Sequence, residues 1–399
     1  MESDNKLFLL DAYALIYRAY YAFIKNPRIN SKGFNTSAIL GFVNTLEEVL
    51  KKENPTHIGV AFDPAGPTFR HEAFEQYKAQ REETPEAIRL SVPIIKEIIR
   101  AYRIPILEVA GYEADDVIGT LATEAGRQGI ITYMMTPDKD YGQLVSDKVF
   151  MYRPKHTGGF EVMGVDEVKA KFDIQSPAQV IDMLGLMGDS SDNIPGCPGV
   201  GEKTAQKLIA EFGSIENLLE HTDQLKGALK TKVETNREMI TFSKFLATIK
   251  IDVPIQLDMD SLVREQADED SLRQIFEELE FRTLIDRVLK KENAGNGITT
   301  PTGNKTAAEK SNLAPLPLFP EEGGAVQGDL FANFTGNEPG EAKNSNLATL
   351  ETLNCDYQLI DTEEKRTKII QKLLTSKILS LDTETTGTEP MDAELVGMS

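Results

Sequence analysis

Short apolar runs alternate with amphipathic stretches from Leu7 to about Val162. The runs are rich in β-branched and aromatic residues, as strands are, and the intervening stretches have the period of helices with one apolar face. The predicted strands are Leu7–Asp11, His57–Asp63, Arg103–Val109, Ile130–Asp138 and Val149–Arg153, and the predicted helices are Thr36–Lys52, Pro85–Arg100 and Glu113–Arg127. This alternation predicts an α/β domain with a mostly parallel sheet flanked by helices.

The pattern changes beyond this domain. It becomes helical, with one Gly- and Pro-rich hairpin at Asn193–Gly201, and then loses most of its apolar residues from about Asn293 to Ala348. A segment with so few apolar side chains cannot bury enough surface to fold alone, so we expect a disordered linker. The predicted divisions are an α/β domain at 1–164, a helical subdomain at 165–291, the linker at 292–350 and a further domain at 351–399.

The last division begins with a predicted helix at Glu363–Leu374 and a strand ILSLDTETTG. It is too short for the α/β domain that it opens, so we expect the chain to be a fragment of a longer protein.

Composition narrows the class of protein. No apolar run approaches the roughly 20 residues that span a bilayer, and the N-terminus lacks the pattern of a signal peptide. Cys197 and Cys355 are far apart in sequence, which disfavours a disulfide framework. We therefore expect a cytoplasmic protein without membrane contact. The net charge of −20 argues against a polyanionic partner, unless the Lys and Arg residues are locally concentrated or the carboxylates bind cations.

Acidic residues follow three of the predicted strands: Asp11, Asp63 and Asp138. The carboxyl ends of parallel strands share one edge of the sheet, where ligand crevices form. Further acids stand at a predicted helix start, beside Asp138 and before the hairpin: Glu113, Asp115, Asp116, Asp140, Asp189 and Asp192. Any one of them is more often a turn or helix-cap residue, but together they would repel one another unless a cation compensated them.

Oxygen ligands without His or Cys select Mg²⁺ or Mn²⁺. Two groups of such ligands suggest two ions, an arrangement suited to in-line attack of water on a phosphodiester. The segment Thr68–Arg81 follows Asp63 and carries Arg70, Lys78 and Arg81. These residues are interpreted as a clamp on the scissile phosphate, and a solvated helix face is the alternative.

The hairpin NIPGCPGVGEKTA places Gly199 and Gly201 before a predicted helix that carries Lys203, Thr204 and Lys207. Its glycines allow backbone amides to approach a phosphate. A nucleotide-binding P-loop is disfavoured, because Glu202 separates the last glycine from Lys203 and no strand precedes the loop. A helix-hairpin-helix contact to a DNA backbone, which positions without reading sequence, is the favoured interpretation.

From about Lys6 to Leu289 the chain closely resembles the 5′ nuclease domains of the bacterial DNA polymerase I family and the wider flap endonuclease family. The matching stretches are LLDAYALIYRAYYA, AFDPAGPTFRHEAFEQYKAQR, GYEADDVIGTLA, TPDKDYGQLV and GDSSDNIPGCPGVGEKTA. The resemblance implies a PIN-like α/β nuclease with a helical arch, a helix-three-turn-helix, and cleavage of DNA at or near a free 5′ end by two Mg²⁺ ions, with Mn²⁺ as a substitute.

The resemblance also implies roles for individual residues. Lys78 and Arg81 would contact the scissile phosphate, and the hairpin around Gly199–Lys203 would grip the duplex with a K⁺ ion. One metal group would be Asp11, Asp63, Glu113 and Asp115, and the second would be Asp116, Asp138, Asp140, Asp189 and Asp192. The substrates would be DNA with a 5′ flap or nick and RNA-primed DNA, acted on by a nucleoid-associated monomer in primer removal, nick translation and repair.

Two features lie beyond the nuclease region. Residues LDTETTG resemble the first strand of a ribonuclease H-like, DnaQ-like 3′-5′ proofreading exonuclease domain, in which Asp382 and Glu384 would be metal ligands. The other ligands of that domain are absent from this sequence, so we expect no proofreading by this chain. In the linker, Gln327–Phe331 resembles the short peptide that docks into bacterial sliding clamps, and we hypothesise such a contact.

Three alternatives remain open. A DNA-binding scaffold would use the acids only as structural metal ligands, although degenerate families lose such acids and all of them are present here. A P-loop ATPase is disfavoured by the spacing of the hairpin. An RNA-directed nuclease is not separable by sequence, because a backbone grip responds to helix shape rather than to bases.

Overall fold

The structure is a computed structural model that describes residues 5–155, 159–289, 362–374, 383–385 and 395–398. Residues 5–289 contain a sheet of six strands in the order β3-β2-β1-β4-β5-β6. The strands are β1 (Lys6–Asp11), β2 (His57–Ala61), β3 (Ile106–Leu107), β4 (Ile131–Met135), β5 (Val149–Pro154) and β6 (Phe160–Met163). The first five are parallel and β6 runs antiparallel to β5, which confirms the predicted mostly parallel sheet.

Helices surround this sheet and continue beyond it. The helices of residues 5–289 are α1 (Ala12–Ala22), α2 (Ser37–Lys52), α3 (Phe69–Ala73), α4 (Glu86–Ala101), α5 (Ala114–Arg127), α6 (Val165–Phe172), α7 (Gln179–Met187), α8 (Glu202–Phe212), α9 (Ile215–Glu220), α10 (Gly227–Thr235), α11 (Arg237–Ala247), α12 (Glu269–Glu278) and α13 (Arg282–Leu289). Short 3₁₀ turns lie at Lys139–Leu144 and Thr222–Gln224. The predicted helices correspond to α2, α4 and α5 within one residue at each end.

The alternation of side chains along β1 divides the core into two layers, because successive strand residues face opposite sides of a sheet. Phe8 and Leu10 pack with α1, α2 and α4, whereas Leu7 and Leu9 pack with α5 and the helical region. All four side chains are fully buried. β1 is therefore the central element on which both layers depend.

The end of the helical region differs from the prediction. Residues 165–291 were expected to form one subdomain, but α12 and α13 pack against the α/β domain, on the Phe8 side of the sheet. Leu272 and Phe276 of α12 are fully buried in that layer. The chain reaches it through an extended segment in which Val263 forms an antiparallel bridge with His57. The helical subdomain therefore comprises α6–α11 only.

Beyond residue 335 the described elements form a separate unit with α14 (Glu363–Leu374) and an antiparallel pair, β7 (Thr383–Thr385) and β8 (Leu395–Met398). Glu384 lies on β7, which agrees with the predicted strand, and Asp382 lies outside the described residues. The proposed clamp peptide at Gln327–Phe331 also lies outside them. None of the described helices is long and apolar enough to cross a membrane.

Candidate metal centre and nucleic-acid interface

The predicted acids meet at the carboxyl edge of the sheet. Asp11 ends β1, and Asp63 and Asp138 follow β2 and β4, the two neighbours of β1. The strand order changes direction between β1 and β4, and in open α/β sheets ligands bind in the crevice at such a point. The fold therefore brings carboxylates from three separate segments to the expected ligand-binding edge.

Asp11 is held tightly at the centre of this edge. One carboxylate oxygen caps α1 by accepting a hydrogen bond from the Ala14 amide at 3.1 Å. The other accepts from the hydroxyls of Tyr141 at 3.1 Å and Thr136 at 3.3 Å. Burial, with the nearby charge of Asp63, raises the pKa of Asp11 from 3.8 to about 7.

A second set of acids gathers where α5 begins. The Ala114 amide donates to Asp63 Oδ1 at 2.7 Å, which joins the end of the β2 segment to the helix start. Burial raises the pKa of Asp63 and, with the charge of Asp116 beside it, raises that of Asp115 well above the usual range. Both carboxylates therefore lack sufficient positive charge around them.

Arg70 contradicts the expectation that it clamps a phosphate. Its side chain is 1% exposed, and it makes a bidentate pair with Asp116 through two N–H···O contacts of 2.8 Å. Asp116 is itself fully buried and also accepts hydrogen bonds from the amides of Glu113 and Lys250. Asp116 therefore lies beside the first predicted metal group rather than the second, with both carboxylate oxygens engaged.

Lys78 and Arg81 both contact acids of the predicted metal groups. Lys78 Nζ lies 2.7 Å from Glu113 Oε1 and 3.7 Å from Asp192 Oδ2, so its ammonium connects the two predicted metal groups. Arg81 Nη2 lies 2.5 Å from Asp192 Oδ1, and the Arg81 side chain is 37% exposed. Burial alone would raise the pKa of Asp192, but these two cations outweigh it and lower the value to about 2.

The segment that carries these cations is not an extended helix. α3 ends at Ala73, and residues 74–85, called the arch segment here, continue without a helix. The Lys78 amide donates to the Asp192 carbonyl at 3.1 Å, and the Gln80 side chain donates to the Ser190 carbonyl at 2.6 Å. The arch segment thus folds directly onto the loop that carries Asp189 and Asp192.

The negative charge of Asp138 and Asp140, in the second predicted metal group, is less well compensated by nearby cations than that of Glu113 and Asp192. Asp138 caps the 3₁₀ turn at Lys139–Leu144 by accepting from the Asp140 amide at 2.9 Å. Lys139 Nζ pairs with Asp189 Oδ2 at 2.7 Å. Burial and neighbouring carboxylates raise the pKa values of Asp138 and Asp140, the latter well above its usual range. Asp140 Oδ1 is buried and has no hydrogen-bond partner.

Two glycines shape the loop of Asp189 and Asp192. Gly188 and Gly196 both have positive φ values, of 72° and 63°. A Cβ on Gly196 would lie 2.3 Å from the Gly188 amide nitrogen, and a Cβ on Gly188 would lie 2.4 Å from the Ile194 carbonyl oxygen. Only glycine fits this close crossing, which fixes the loop against the start of the hairpin.

The donor set fits hard divalent cations, although its side chains are not arranged around one. Among the described residues, no group of three or more His, Cys, Asp or Glu residues is positioned to hold a metal ion. Glu113 and Asp192 contact Lys78 and Arg81 instead, and Asp189 contacts Lys139. The acids with raised pKa values are Asp11, Asp63, Asp115, Asp138 and Asp140, and the unpartnered oxygen of Asp140 is what a cation would satisfy.

The hairpin has the predicted form. Gly199 has a φ of +75°, and Gly201 caps the N-terminus of α8, where Lys203 and Lys207 are exposed. The Thr204 amide donates to the Gly201 carbonyl at 3.0 Å, so it closes the first turn. Lys232 Nζ of α10 lies 3.4 Å from the Gly199 carbonyl oxygen, which places a further cation beside the glycines.

Two tyrosines at the site were missed by sequence reasoning. The buried Tyr77 hydroxyl lies 2.9 Å from Glu113 Oε2 and 3.0 Å from Asp192 Oδ2, so its single proton can be donated to either carboxylate, beside the contacts of Lys78. Tyr141 donates to Asp11. The position of Tyr141, three residues after Asp138, was the available signal, because a 3₁₀ turn superposes residues at that spacing.

Models of two domains match the chain. One, described as the N-terminal resolvase-like domain of the 5′-3′ exonuclease family, matches residues 6–173. The other, described as the C-terminal SAM fold of the same family, matches residues 175–270. Together they cover both the acidic edge of the sheet and the hairpin.

Curated relatives agree with these models. DNA polymerase I of Bacillus caldotenax is 42% identical over 287 residues, which are 71% of this chain and 32% of the relative. DNA polymerase I of Bacillus subtilis is 43% identical over 291 residues, covering 72% of this chain and 33% of the relative. DNA polymerase I of a Synechocystis species is 33% identical over 410 residues, which cover 98% of this chain and 41% of the relative. The chain thus spans about a third of the length of the first two relatives.

Solved structures share the fold. The 5′-exonuclease of bacteriophage T5, determined with zinc ions, superposes with a TM-score of 0.52 at 21% identity and covers 69% of this chain and 99% of its own. A bacteriophage T5 flap endonuclease, determined as a pseudo-enzyme-product complex with DNA and metal ions, gives a TM-score of 0.51 at 22% identity. The match covers 69% of this chain and 100% of the flap endonuclease.

Proposed function

Residues 6–270 belong to the 5′-3′ exonuclease family, and from this premise we propose that the chain hydrolyses phosphodiester bonds of DNA at or near a free 5′ end, as an exonuclease and flap endonuclease. One observation carries the proposal: poorly compensated carboxylates from separate segments meet at the carboxyl edge of the sheet, next to Lys78 and Arg81. The substrates would be DNA with a 5′ flap or nick and RNA-primed DNA.

The acids would hold two divalent cations, Mg²⁺ in the cell, with Mn²⁺ as a substitute. Asp11, Asp63, Glu113 and Asp115 form one candidate ligand group, and Asp138, Asp140, Asp189 and Asp192 form the other. The bound ions would supply Lewis-acid activation of water and stabilisation of the leaving oxygen. The unpartnered Asp140 oxygen and the raised pKa values support cation binding at this edge.

The protein's own cations would act on the phosphate. Lys78 and Arg81 pair with Glu113 and Asp192 in this structure, at the same edge where a phosphate would lie. With divalent cations bound by these carboxylates, Lys78 and Arg81 would be free to bind the non-bridging oxygens of the scissile phosphate. An ammonium and a guanidinium placed there would stabilise the negative charge that develops during hydrolysis.

The hairpin would hold the duplex. The exposed Lys203 and Lys207, with the N-terminus of α8 and the backbone of Gly199 and Gly201, suit contacts to successive phosphates. A K⁺ ion at the hairpin is part of this proposal. Such contacts position a duplex without reading its sequence, so the enzyme would recognise structure rather than base order.

The surrounding protein would be a bacterial DNA polymerase I, active in primer removal, nick translation and repair. Support for this proposal comes from relatives named DNA polymerase I, and the chain spans about a third of the length of the first two. A non-catalytic DNA-binding scaffold is the alternative function, in which the acids would bind metal without cleavage.

The test of the proposal is the choice of substrate. We expect the chain with Mg²⁺ to cut a 5′-flap duplex near its junction and to degrade a nicked duplex from the 5′ side, while a 3′-flap duplex and an intact circle stay uncut. A nicked duplex whose strand begins with RNA instead of DNA at the 5′ end should still be cleaved. Equal cutting of 5′ and 3′ flaps would refute the 5′ polarity, and binding without cutting would favour the scaffold.

A further inference from the structure

Arg70 makes every hydrogen bond that its side chain can donate. A guanidinium has five N–H groups in a fixed planar arrangement. Nε donates to the Leu246 carbonyl at 2.9 Å, and Nη2 donates to the Thr248 carbonyl at 2.9 Å. The remaining donors contact Asp116 Oδ1 and Oδ2 at 2.8 Å and Glu113 Oε2 at 3.0 Å. No donor of this side chain remains for a substrate.

These acceptors belong to two parts of the molecule. Glu113 and Asp116 stand at the N-terminus of α5 in the α/β domain, whereas Leu246 and Thr248 are at the C-terminal end of α11 in the helical subdomain. Asp116 Oδ1 also accepts from the Lys250 amide at 2.8 Å. Arg70 and Asp116 therefore fasten the end of α11 to the start of the helix that bears the candidate metal ligands.

The contact with Glu113 is the link to the site. Glu113 Oε2 accepts from Arg70, and Oε1 accepts from Lys78 at 2.7 Å, so the carboxylate is oriented from the buried side and the open side. Glu113 is 5% exposed and has little room to reorient. The buried side of this carboxylate is fixed whether or not Lys78 moves away to bind a phosphate.

We propose that Arg70 is a positioning residue: its guanidinium fixes the Glu113 carboxylate for metal binding and couples it to the helical subdomain that carries the duplex-binding hairpin. The coupling to catalysis rests on the proposed function. Lysine cannot perform this role, because its ammonium donates three hydrogen bonds from one point and cannot reach the five planar acceptor positions. Groups that orient metal ligands typically contribute about 10- to 100-fold to metal affinity or activity.

The experiment compares native protein, Arg70→Lys and Arg70→Met in two measurements. Mn²⁺ binding is measured from the spectrum of the Mn²⁺ that remains free. Cleavage of a 5′-flap duplex gives kcat and KM. We expect Arg70→Lys to fold, to bind Mn²⁺ about 10- to 100-fold more weakly and to lose kcat without a comparable rise in KM. If Arg70→Met does not fold, the Arg70→Lys comparison still decides the proposal.

Lys244→Met is the matched control. Lys244 also makes a charged contact within the helical subdomain, with Asp182 at 2.6 Å and Glu216 at 2.8 Å, but it does not contact the acids of the site. The variant should bind Mn²⁺ as the native protein does. Native-like Mn²⁺ binding by Arg70→Lys, or an equal loss in Lys244→Met, would overturn the positioning role. If native protein bound Mn²⁺ but cut no flap, the proposed function would fail, while the Mn²⁺ comparison would still decide whether Arg70 positions Glu113.

Discussion

At the scale of single residues, three of the carboxylates at the acidic edge each lie beside a cation: Glu113 contacts Lys78, Asp192 contacts Arg81 and Asp189 contacts Lys139. Acids that follow parallel strands must meet at one edge, so Asp11, Asp63 and Asp138 could be grouped from sequence alone. The burial of Arg70 depends on hydrogen bonds to the carbonyls of Leu246 and Thr248, far along the chain. No sequence pattern near Arg70 predicts these hydrogen bonds. Whether an arginine binds substrate or its own protein is decided by tertiary packing.

Lys78→Met should slow cleavage without weakening metal binding. The substitution removes an ammonium that lies between Glu113 and Asp192, where the phosphate is expected. Loss of one such group typically lowers the rate by about 100-fold. Single-turnover cleavage at saturating DNA measures the effect, with Lys51→Met on the exposed surface of α2 as control. Native rates for Lys78→Met would exclude its role in catalysis.

Asp11→Asn should change stability in a pH-dependent way. The folded pKa of about 7 lies above the usual 3.8, so ionisation opposes folding: without metal, the native protein loses stability as pH rises from about 4 to 7. Asparagine cannot ionise and avoids this loss, which is on the order of 4 kcal/mol. Urea unfolding measures the free energy of unfolding of both proteins. The stability of Asp11→Asn relative to native protein should be higher at pH 8 than at pH 4, and Mg²⁺ should remove this difference. A pH-independent difference would contradict the assignment.

At the scale of elements, periodicity was sufficient where a helix or strand faces one apolar layer, as in α2, α4 and α5. It failed where packing outside the segment decides the structure. β6 has only four residues, and its sequence alone did not predict a strand there. It pairs antiparallel with β5. The packing of α12 and α13 on the Phe8 side of the sheet was likewise not predicted, because the sequence of an amphipathic helix shows its apolar side but not the layer against which that side packs.

Gly196→Ala should disrupt the loop of Asp189 and Asp192 far more than Gly213→Ala disrupts the end of α8. Both glycines have positive φ values, but only Gly196 has a neighbour, the Gly188 nitrogen, within 2.3 Å of an added Cβ. The backbone strain costs about 1–2 kcal/mol at either site. Overpacking at Gly196 should add about 1–3 kcal/mol. Chemical denaturation measures both variants, and equal losses would show that the close crossing does not constrain the loop.

Lys203→Ala/Lys207→Ala should weaken duplex binding and leave kcat nearly unchanged. Each lysine that neutralises a phosphate adds about 0.9 to the steepness with which log K falls with log salt, so the slope should decrease by about 2 in magnitude when both lysines are removed. Affinity measured across salt concentrations tests this. Lys51→Ala/Lys52→Ala removes the same charge from the C-terminal end of α2, near the opposite edge of the sheet, and should not change the slope. A slope unaffected by the hairpin variant would remove the hairpin from the interface.

At the scale of the whole molecule, the family assignment made from the motifs is confirmed by the two domain models, and so is the PIN-like fold. The metal ligands, the clamp peptide and the division of the chain into domains remain predictions. The net charge of −20 was a poor guide to function, because it does not show that many acids gather at one edge beside Lys78 and Arg81. Position in the fold, not total charge, decides what the carboxylates can do.

Metal-dependent cleavage at this edge of the sheet is tested most directly by a Mg²⁺ titration of 5′-labelled flap cleavage by native protein and by Asp138→Asn/Asp140→Asn. We expect cleavage near the flap junction that requires Mg²⁺, stops with EDTA and is lost in this variant. Glu277→Gln/Glu278→Gln, which removes two exposed acids of α12, should cut like native protein. Cleavage that persists in EDTA, or in Asp138→Asn/Asp140→Asn, would contradict a metal-dependent nuclease centred on these acids.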